Sequence, residues 1–168
     1  LGKLKWPKIR PAFVIFFFIS FLINSFVPSV AFARADVAET PSIDIIEALE
    51  WAEENTFQGS TILASIDNGH LISTIAKRKN VIDSNFLLVD ETTKRLEDVE
   101  TIYTSKLETE AQRHLDDYNI GYILISQKEK ETFNIDSIGY TSDSRCFKKV
   151  FEQNNVTIFR ARCSLRVK

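Results

Sequence analysis

Charged and apolar positions divide the chain at about residue 35. An uncharged run of roughly 23 residues extends from Pro11 to Ala33, with four cations before it and Arg34 after it. A helix of that length spans roughly 35 Å, which is enough to cross the hydrocarbon core of a bilayer. The excess of cations on the N-terminal side predicts a cytoplasmic N-terminus and places the following chain outside the cytoplasm.

The same segment also has the order of a secretory signal. Its strongest apolar stretch runs only from Ala12 to Ile23, and Ala31-Phe32-Ala33 provides a small-x-small cleavage pattern. The uncharged length favours a retained helix, and both interpretations leave the remaining chain on the same side of the membrane. We therefore expect a membrane anchor or signal over residues 1–35, a linker over 36–41 and an extracytoplasmic domain over 42–168.

Helical spacing of apolar residues recurs beyond the linker. Ile45, Leu49 and Ala52 share one face of a helix that begins at a cap, Thr40 or Ser42, and ends near Asn55. The same patterns predict four further helices, over residues 70–79, 92–104, 108–118 and 143–153.

Short apolar runs predict strands between these helices. The clearest are residues 61–66, 122–126 and 156–161, with a shorter candidate at 81–83, and the charged residues 128–136 are predicted to form a loop. Strands that alternate with helices indicate a layered α/β domain with a mainly parallel sheet.

The composition and motifs of the chain argue against several classes of function. A chain of 168 residues with a net charge of -2 and interleaved basic and acidic residues is not typical of a nucleic-acid binder. None of the five glycines forms a phosphate-binding loop, and His70 and His114 lack a second histidine at metal-ligand spacing. The chain begins at Leu1 and contains no Met, so we expect either an unusual start codon or a piece of a longer protein.

The strongest candidate for chemistry is the turn Asp67-Asn68-Gly69-His70. It follows a buried strand and opens a helix, and ligands of open α/β sheets bind outside the carboxyl ends of strands. Asp67 could bind a cation or a substrate hydroxyl there, beside the free N–H groups of the helix. The structural alternative is that Asp67 or Asn68 caps the helix and Gly69 eases the turn.

Arg78 and Asp83 lie close to that turn in the sequence. They could form an ion pair at the same edge of the sheet and take part in ligand binding. The alternative is a solvated helix end, because exposed ion pairs contribute little.

Three further residues suggest covalent modification. Cys146 and Cys163 are the only cysteines, and an even number outside the cytoplasm suggests a disulfide, with two buried thiols as the alternative. Asn155-Val156-Thr157 is an N-glycosylation sequon.

The order of these segments resembles a known family. The residues that carry the resemblance are Ala48–Trp51, Glu54–Thr56, Thr61–Ser65, Gly69–Ile72, Arg78, Asn80–Asp83, Tyr118–Ile120, Tyr122–Ile125 and Cys163. They are similar to the extracytoplasmic C-terminal region of polytopic GT-C glycosyltransferases, a family that includes the archaeal-type oligosaccharyltransferases. In those enzymes the first strand ends in a WWDYG motif that helps bind the acceptor. The matching stretch here, Ser65–Gly69, keeps its Asp and Gly but lacks both Trp and the Tyr.

The resemblance implies an accessory domain of a membrane glycosyltransferase that uses lipid-linked sugar. Catalytic acids and a divalent metal belong to loops of the complete enzyme, so no catalytic residue, metal or other cofactor is expected in this chain. The implied partners are membrane lipid and upstream transmembrane helices of the same or a split protein, and no nucleic acid. The alternative function is a single-pass or secreted binding domain without enzymatic activity.

Overall fold

A computed structural model describes residues 6–38, 40–85 and 91–166 of the chain. Its contacts divide the chain into two units, of which the first ends at Pro41 and the second begins at Ser42. The cations Lys3 and Lys5 lie outside the described residues.

The first unit is helical. Helix α1 (Trp6–Phe21) continues through a π-helical turn (Leu22–Phe26) into helix α2 (Val27–Ala38), which extends three residues into the predicted linker. Residues 11–32 of this run have a mean hydropathy of 2.2 and are long enough to cross a membrane. The Asn24 amide donates to the Ser20 carbonyl at 2.9 Å, which suits an apolar setting because buried polar groups need internal partners.

The second unit is built on a four-stranded mixed sheet. Its strands are β1 (Thr61–Leu63), β2 (Ile120–Ile125), β3 (Phe147–Gln153) and β4 (Val156–Ala161), in the spatial order β1-β2-β4-β3. β1 and β2 run parallel, whereas β4 is antiparallel to both β2 and β3. The prediction of an α/β domain is confirmed, but the expectation of a mainly parallel sheet is wrong because β3 and β4 form a hairpin.

Helices cover both faces of this sheet. They are α3 (Ile43–Asn55), α4 (Ile66–Leu71) with a following π-helical turn (Ile72–Ala76), α5 (Thr92–Thr104), α6 (Glu108–Asp117) and α7 (Gln127–Phe133), with a 3-10 turn at Gly139–Ser142. Ile62 packs on the side of α3, while the adjacent Leu63 packs on the side of α5 and α6. Successive strand residues point to opposite faces, so the sheet separates two apolar cores. Ser42 is the cap of α3, since its hydroxyl accepts from the Ile45 amide.

The predicted helix over 143–153 is wrong, because residues 147–153 form β3. The register with β4 shifts between Lys149 and Phe151, leaving Val150 as an extra residue. This bulge turns Phe151 to the α3 face, although Phe147 lies on the opposite face. Apolar residues at 147, 150 and 151 therefore imitate helical spacing within a strand.

Two shorter predictions are also wrong. The segment 128–136, predicted as a loop, is largely helix α7, and the described residues 81–83 form no strand. Lys79 forms a single parallel β-bridge with Thr61, and the chain then leaves the sheet. Val81 and Ile82 are therefore buried in irregular backbone.

Candidate functional site

Two strand-to-helix junctions lie at one edge of the sheet. Strands β1 and β2 are parallel neighbours, so their carboxyl ends meet there. Ser65 is the N-cap residue of α4 after β1, and Ser126 is the N-cap residue of α7 after β2. We refer to residues 65–70 as the first junction and to residues 126–129 as the second junction.

The carboxylate of Glu129 joins the two junctions. Its Oε1 accepts hydrogen bonds from the Ser65 amide (3.0 Å), the Ser65 hydroxyl (2.7 Å) and the Asn68 amide group (2.8 Å). Its Oε2 accepts from the Ser126 amide (2.9 Å) and hydroxyl (2.5 Å). Glu129 is fully buried, and five donors offset the cost of removing its charge from water.

Asn68 and Gly69 have structural roles in the first junction. Asn68 is buried, and its side-chain amide bonds to Glu129 and to the Ser126 hydroxyl. A Cβ added at Gly69 would lie 2.1 Å from the Ile82 carbonyl oxygen, so this position must be glycine for the backbones to approach. Because α4 begins at Ile66, neither Asp67 nor Asn68 is its cap.

Asp67 and His70 lie on the surface of the same junction. The Asp67 carboxylate is half exposed and lies 3.2 Å from the Lys128 ammonium of the second junction. Such a solvated pair contributes little to stability. His70 is also exposed. The outward side of the junctions therefore presents a carboxylate, an ammonium and an imidazole that the buried network does not use.

Arg78 is buried and belongs to a different structural element. Its guanidinium donates to three oxygen atoms at the end of α3, namely the Thr56 hydroxyl and the carbonyls of Thr56 and Glu53. It also donates to the carbonyls of Ala76 and Lys77, which directly precede Arg78 in the chain. These bonds hold the C-terminus of α3, where carbonyls lack helical partners.

Asp83 does not pair with Arg78, so the predicted ion pair is wrong. Its carboxylate accepts from the Asn80 side chain (3.1 Å) and from the Asn85 amide (2.9 Å). Asn80 also donates to the Gly69 carbonyl at 2.6 Å. Asp83 thus supports the chain beside the first junction, whereas Arg78 anchors α3.

Tyr103 of α5 ties both strands together just before the junctions. Its hydroxyl lies 2.7 Å from the Leu124 carbonyl and 3.3 Å from the Leu63 carbonyl, and its ring stacks on Phe133 at 4.4 Å. Burial raises the pKa of Tyr103 well above its usual value, and the charge of Glu129 raises it further. The phenol therefore stays a donor through the physiological range.

The remaining shifted groups lie elsewhere in the fold. Burial raises the pKa of Tyr140 and, with a hydrogen bond to Asp98, that of Tyr118. The Arg145 side chain, which donates to the partly buried Asp143 carboxyl, lowers the pKa of that carboxyl to about 2.

The predicted disulfide between Cys146 and Cys163 is formed. It joins the start of β3 to the end of β4, rather than a helix to a strand. Possible ligand atoms of Glu108, Asp143 and Cys146 lie within 4.8 Å of one another, but a disulfide sulfur is not a thiolate ligand. Asn155 is exposed in the turn between β3 and β4, and its glycosylation stays a prediction.

Sequence reasoning missed Glu129, Lys128 and Tyr103. A signal for the first two was present, because Ser126-Gln127-Lys128-Glu129 has the Ser-x-x-Glu pattern of a capping box. The charge density of residues 128–136 concealed it. Tyr103 carries no local signal, since its partners are 40 and 21 residues away.

No protein-family model matches the chain, and no curated protein matches its sequence. Its fold is similar to that of solved structures. The C-terminal globular domain of an oligosaccharyltransferase from Archaeoglobus fulgidus is 16% identical, with a TM-score of 0.55, and the match covers 73% of this chain and 99% of that domain.

Two larger structures from Archaeoglobus fulgidus contain the same fold. An oligosaccharyltransferase in the apo form is 17% identical with a TM-score of 0.51, over 75% of this chain and 17% of that protein. The oligosaccharyltransferase AglB in complex with an inhibitory peptide and a dolichol-phosphate is 18% identical with a TM-score of 0.50, over 74% and 17%. This chain thus spans less than a fifth of either, and the likeness confirms the fold that the resemblance implied.

Proposed function

We propose that residues 42–168 are the C-terminal accessory domain of an oligosaccharyltransferase-like membrane glycosyltransferase. The observation that carries this proposal is the match to 99% of a C-terminal globular domain from such an enzyme. An apolar helix precedes the domain here, as the resemblance leads one to expect for the last membrane segment. In this proposal the domain lies outside the cytoplasm, and membrane lipid and further transmembrane helices are its partners.

The first junction is the proposed contact with acceptor or lipid phosphate. It lies at the carboxyl end of a parallel strand, where α/β domains bind ligands, and the sequence resemblance implies that it corresponds to the family's acceptor motif. Asp67 is the group available for such a contact, because it is half exposed and takes no part in the Glu129 network. His70 is exposed one turn further along the helix.

Use of a lipid-linked sugar is also proposed. It is supported by the neighbour that was solved with a dolichol-phosphate and an inhibitory peptide. The acids at the junctions do not fit a metal site, since both oxygens of Glu129 already accept hydrogen bonds and Asp67 lies against an ammonium. Catalytic acids and a divalent metal are therefore assigned to other parts of a complete enzyme.

The test is glycosyl transfer by the product of the complete gene. Membranes that contain it are incubated with lipid-linked oligosaccharide and a peptide that carries an Asn-x-Thr sequon, and the glycopeptide is measured by mass spectrometry. We expect transfer that is lost when residues 42–168 are deleted. A gene without further membrane segments, or transfer that survives the deletion, would contradict the proposal and favour a single-pass or secreted binding domain.

A further inference from the structure

A cavity of about 320 Å³ opens on the α3 face of the sheet, and none of its described lining residues belongs to either junction. Trp51 and Asn55 of α3 form one side of it, and Tyr122, Lys148 and Arg160 of the strands form the other. Val150, the extra residue of the β3 bulge, also lines it. Bulges are frequent beside binding sites because they redirect neighbouring side chains.

Three cations line this cavity (Lys148, Lys149 and Arg160), and Lys148 and Arg160 face each other without an anion. Lys148 is directly opposite Arg160 in the register of β3 and β4. Like charges in that position destabilise a sheet. Within the described part of the chain, neither side chain has a hydrogen-bond or ion-pair partner, and none of the described residues that line the cavity is acidic. The adjacent Lys149 differs, because its ammonium binds Glu152 at 2.7 Å.

An aromatic side chain lies on each side of the cavity, Trp51 on α3 and Tyr122 on the sheet. Tyr122 is the cross-strand neighbour of Arg160 on β2, so Tyr122, Arg160 and Lys148 form one row across three strands. Trp51 packs against Phe151 with ring centroids 5.2 Å apart, which fixes the indole beside the cavity. Cations beside aromatic side chains suit an anionic group attached to an apolar ring or chain.

We propose that this cavity binds a phosphate group, with Lys148 and Arg160 as its ligands. Arginine matches phosphate oxygens with a planar pair of donors, and lysine adds a compact charge. A dianionic phosphate neutralises both cations and removes the repulsion between them. The proposal does not rest on the proposed function, since it depends only on the cavity and its charges.

The test uses the full chain in mild detergent, with Trp6→Phe as the background so that Trp51 is the only indole. Inorganic pyrophosphate is titrated and Trp51 fluorescence is followed. We expect a saturable change, and a Kd at least tenfold weaker in the double variant Lys148→Gln/Arg160→Gln. The charge-matched control Lys106→Gln/Arg113→Gln, at exposed positions of the loop before α6 and of α6, should keep the original Kd.

Two further measurements keep the result unambiguous. The double variant should melt at the same or a higher temperature than the background, because it loses a repulsive pair. A short-chain phosphatidic acid is titrated beside pyrophosphate, and tighter binding of the lipid would identify a headgroup as the source of the phosphate. A change that does not saturate, an equal loss in the control, or equal binding of citrate would overturn the proposal.

Discussion

Both strand-to-helix junctions begin with a serine N-cap that bonds to a carboxylate, but the carboxylate comes from a different place in each. In each, a serine follows a buried parallel strand and begins a helix. Ser126 receives its acidic partner from its own helix, through the capping box with Glu129. Ser65 receives the same carboxylate from the neighbouring helix, across 64 residues of sequence.

This difference explains the position of Asp67. An acid in the first turn of a helix commonly satisfies free backbone N–H groups. At the first junction Glu129 already binds the Ser65 amide, and Asn68 completes the buried network. Asp67 is thereby left at the surface, where it faces Lys128 and solvent. A carboxylate that the fold does not need is available for a ligand.

Removing the shared carboxylate should have the largest effect. Glu129→Ala removes the acceptor of five buried hydrogen bonds and should lower the free energy of unfolding by about 3–5 kcal/mol. Glu131→Ala on the same helix is the control, because Glu131 is exposed and bonds only to Gln127 in the described structure. It should change stability by less than about 0.5 kcal/mol. Urea unfolding of the full chain in mild detergent measures both, and equal effects would contradict the shared role.

The close backbone approach at the first junction should have the next largest effect. Gly69→Ala places a methyl group 2.1 Å from the Ile82 carbonyl oxygen and should destabilise by roughly 2 kcal/mol. Gly139→Ala is the matched control, since nothing lies within 4 Å of a Cβ at that position. The control should be neutral or slightly stabilising. Equal melting temperatures of the two variants would show that Gly69 does not lie against the Ile82 carbonyl.

Tyr103→Phe tests the link between the two strands. The lost hydroxyl bonds to the Leu63 and Leu124 carbonyls should cost about 1 kcal/mol near neutral pH. Because the pKa of Tyr103 is raised in the folded protein, its contribution is fully present below pH 10 and is lost as the pH rises further. Between pH 8 and pH 11 the free energy of unfolding should therefore fall less in the variant than in the parent chain. A decline as steep as in the parent chain would refute this assignment.

The exposed ion pair between Asp67 and Lys128 should have the smallest effect on stability. A double-mutant cycle with Asp67→Asn and Lys128→Ala should give a coupling energy below about 0.5 kcal/mol, because both side chains are half exposed. A coupling above 1 kcal/mol would mean that the pair stabilises the junction and that Asp67 is not free for a ligand.

The sequence predicted the parts of the fold whose signals are local. Helix α3 and strands β2 and β4 follow from apolar periodicity within single segments. The same reasoning wrongly predicted a helix over residues 143–153, because the extra residue of the β3 bulge gives the apolar positions of a strand the spacing of a helix. The disulfide could be predicted because the chain has only two cysteines.

The candidate site was predictable in position but not in function. The sequence placed the candidate after β1, where Asp67 is accessible, but residues 67–70 lie within α4 and not in a turn that precedes a helix. The roles of Asn68, Gly69 and Arg78 were not visible, because the partners that define those roles are 13 to 61 residues away in the sequence. Burial of a charged residue such as Glu129 depends on donors supplied by tertiary contacts, which periodicity does not report.

One substitution can test the claim that Asp67 serves a ligand rather than the fold. Asp67→Asn in the product of the complete gene is compared with Asp117→Asn, which removes another exposed, paired carboxylate. Peptide glycosylation and the melting temperature of each variant are measured under identical conditions. We predict that Asp67→Asn lowers the transfer rate at least tenfold with an unchanged melting temperature, while Asp117→Asn alters neither. Transfer at the parent rate by Asp67→Asn would contradict the claim.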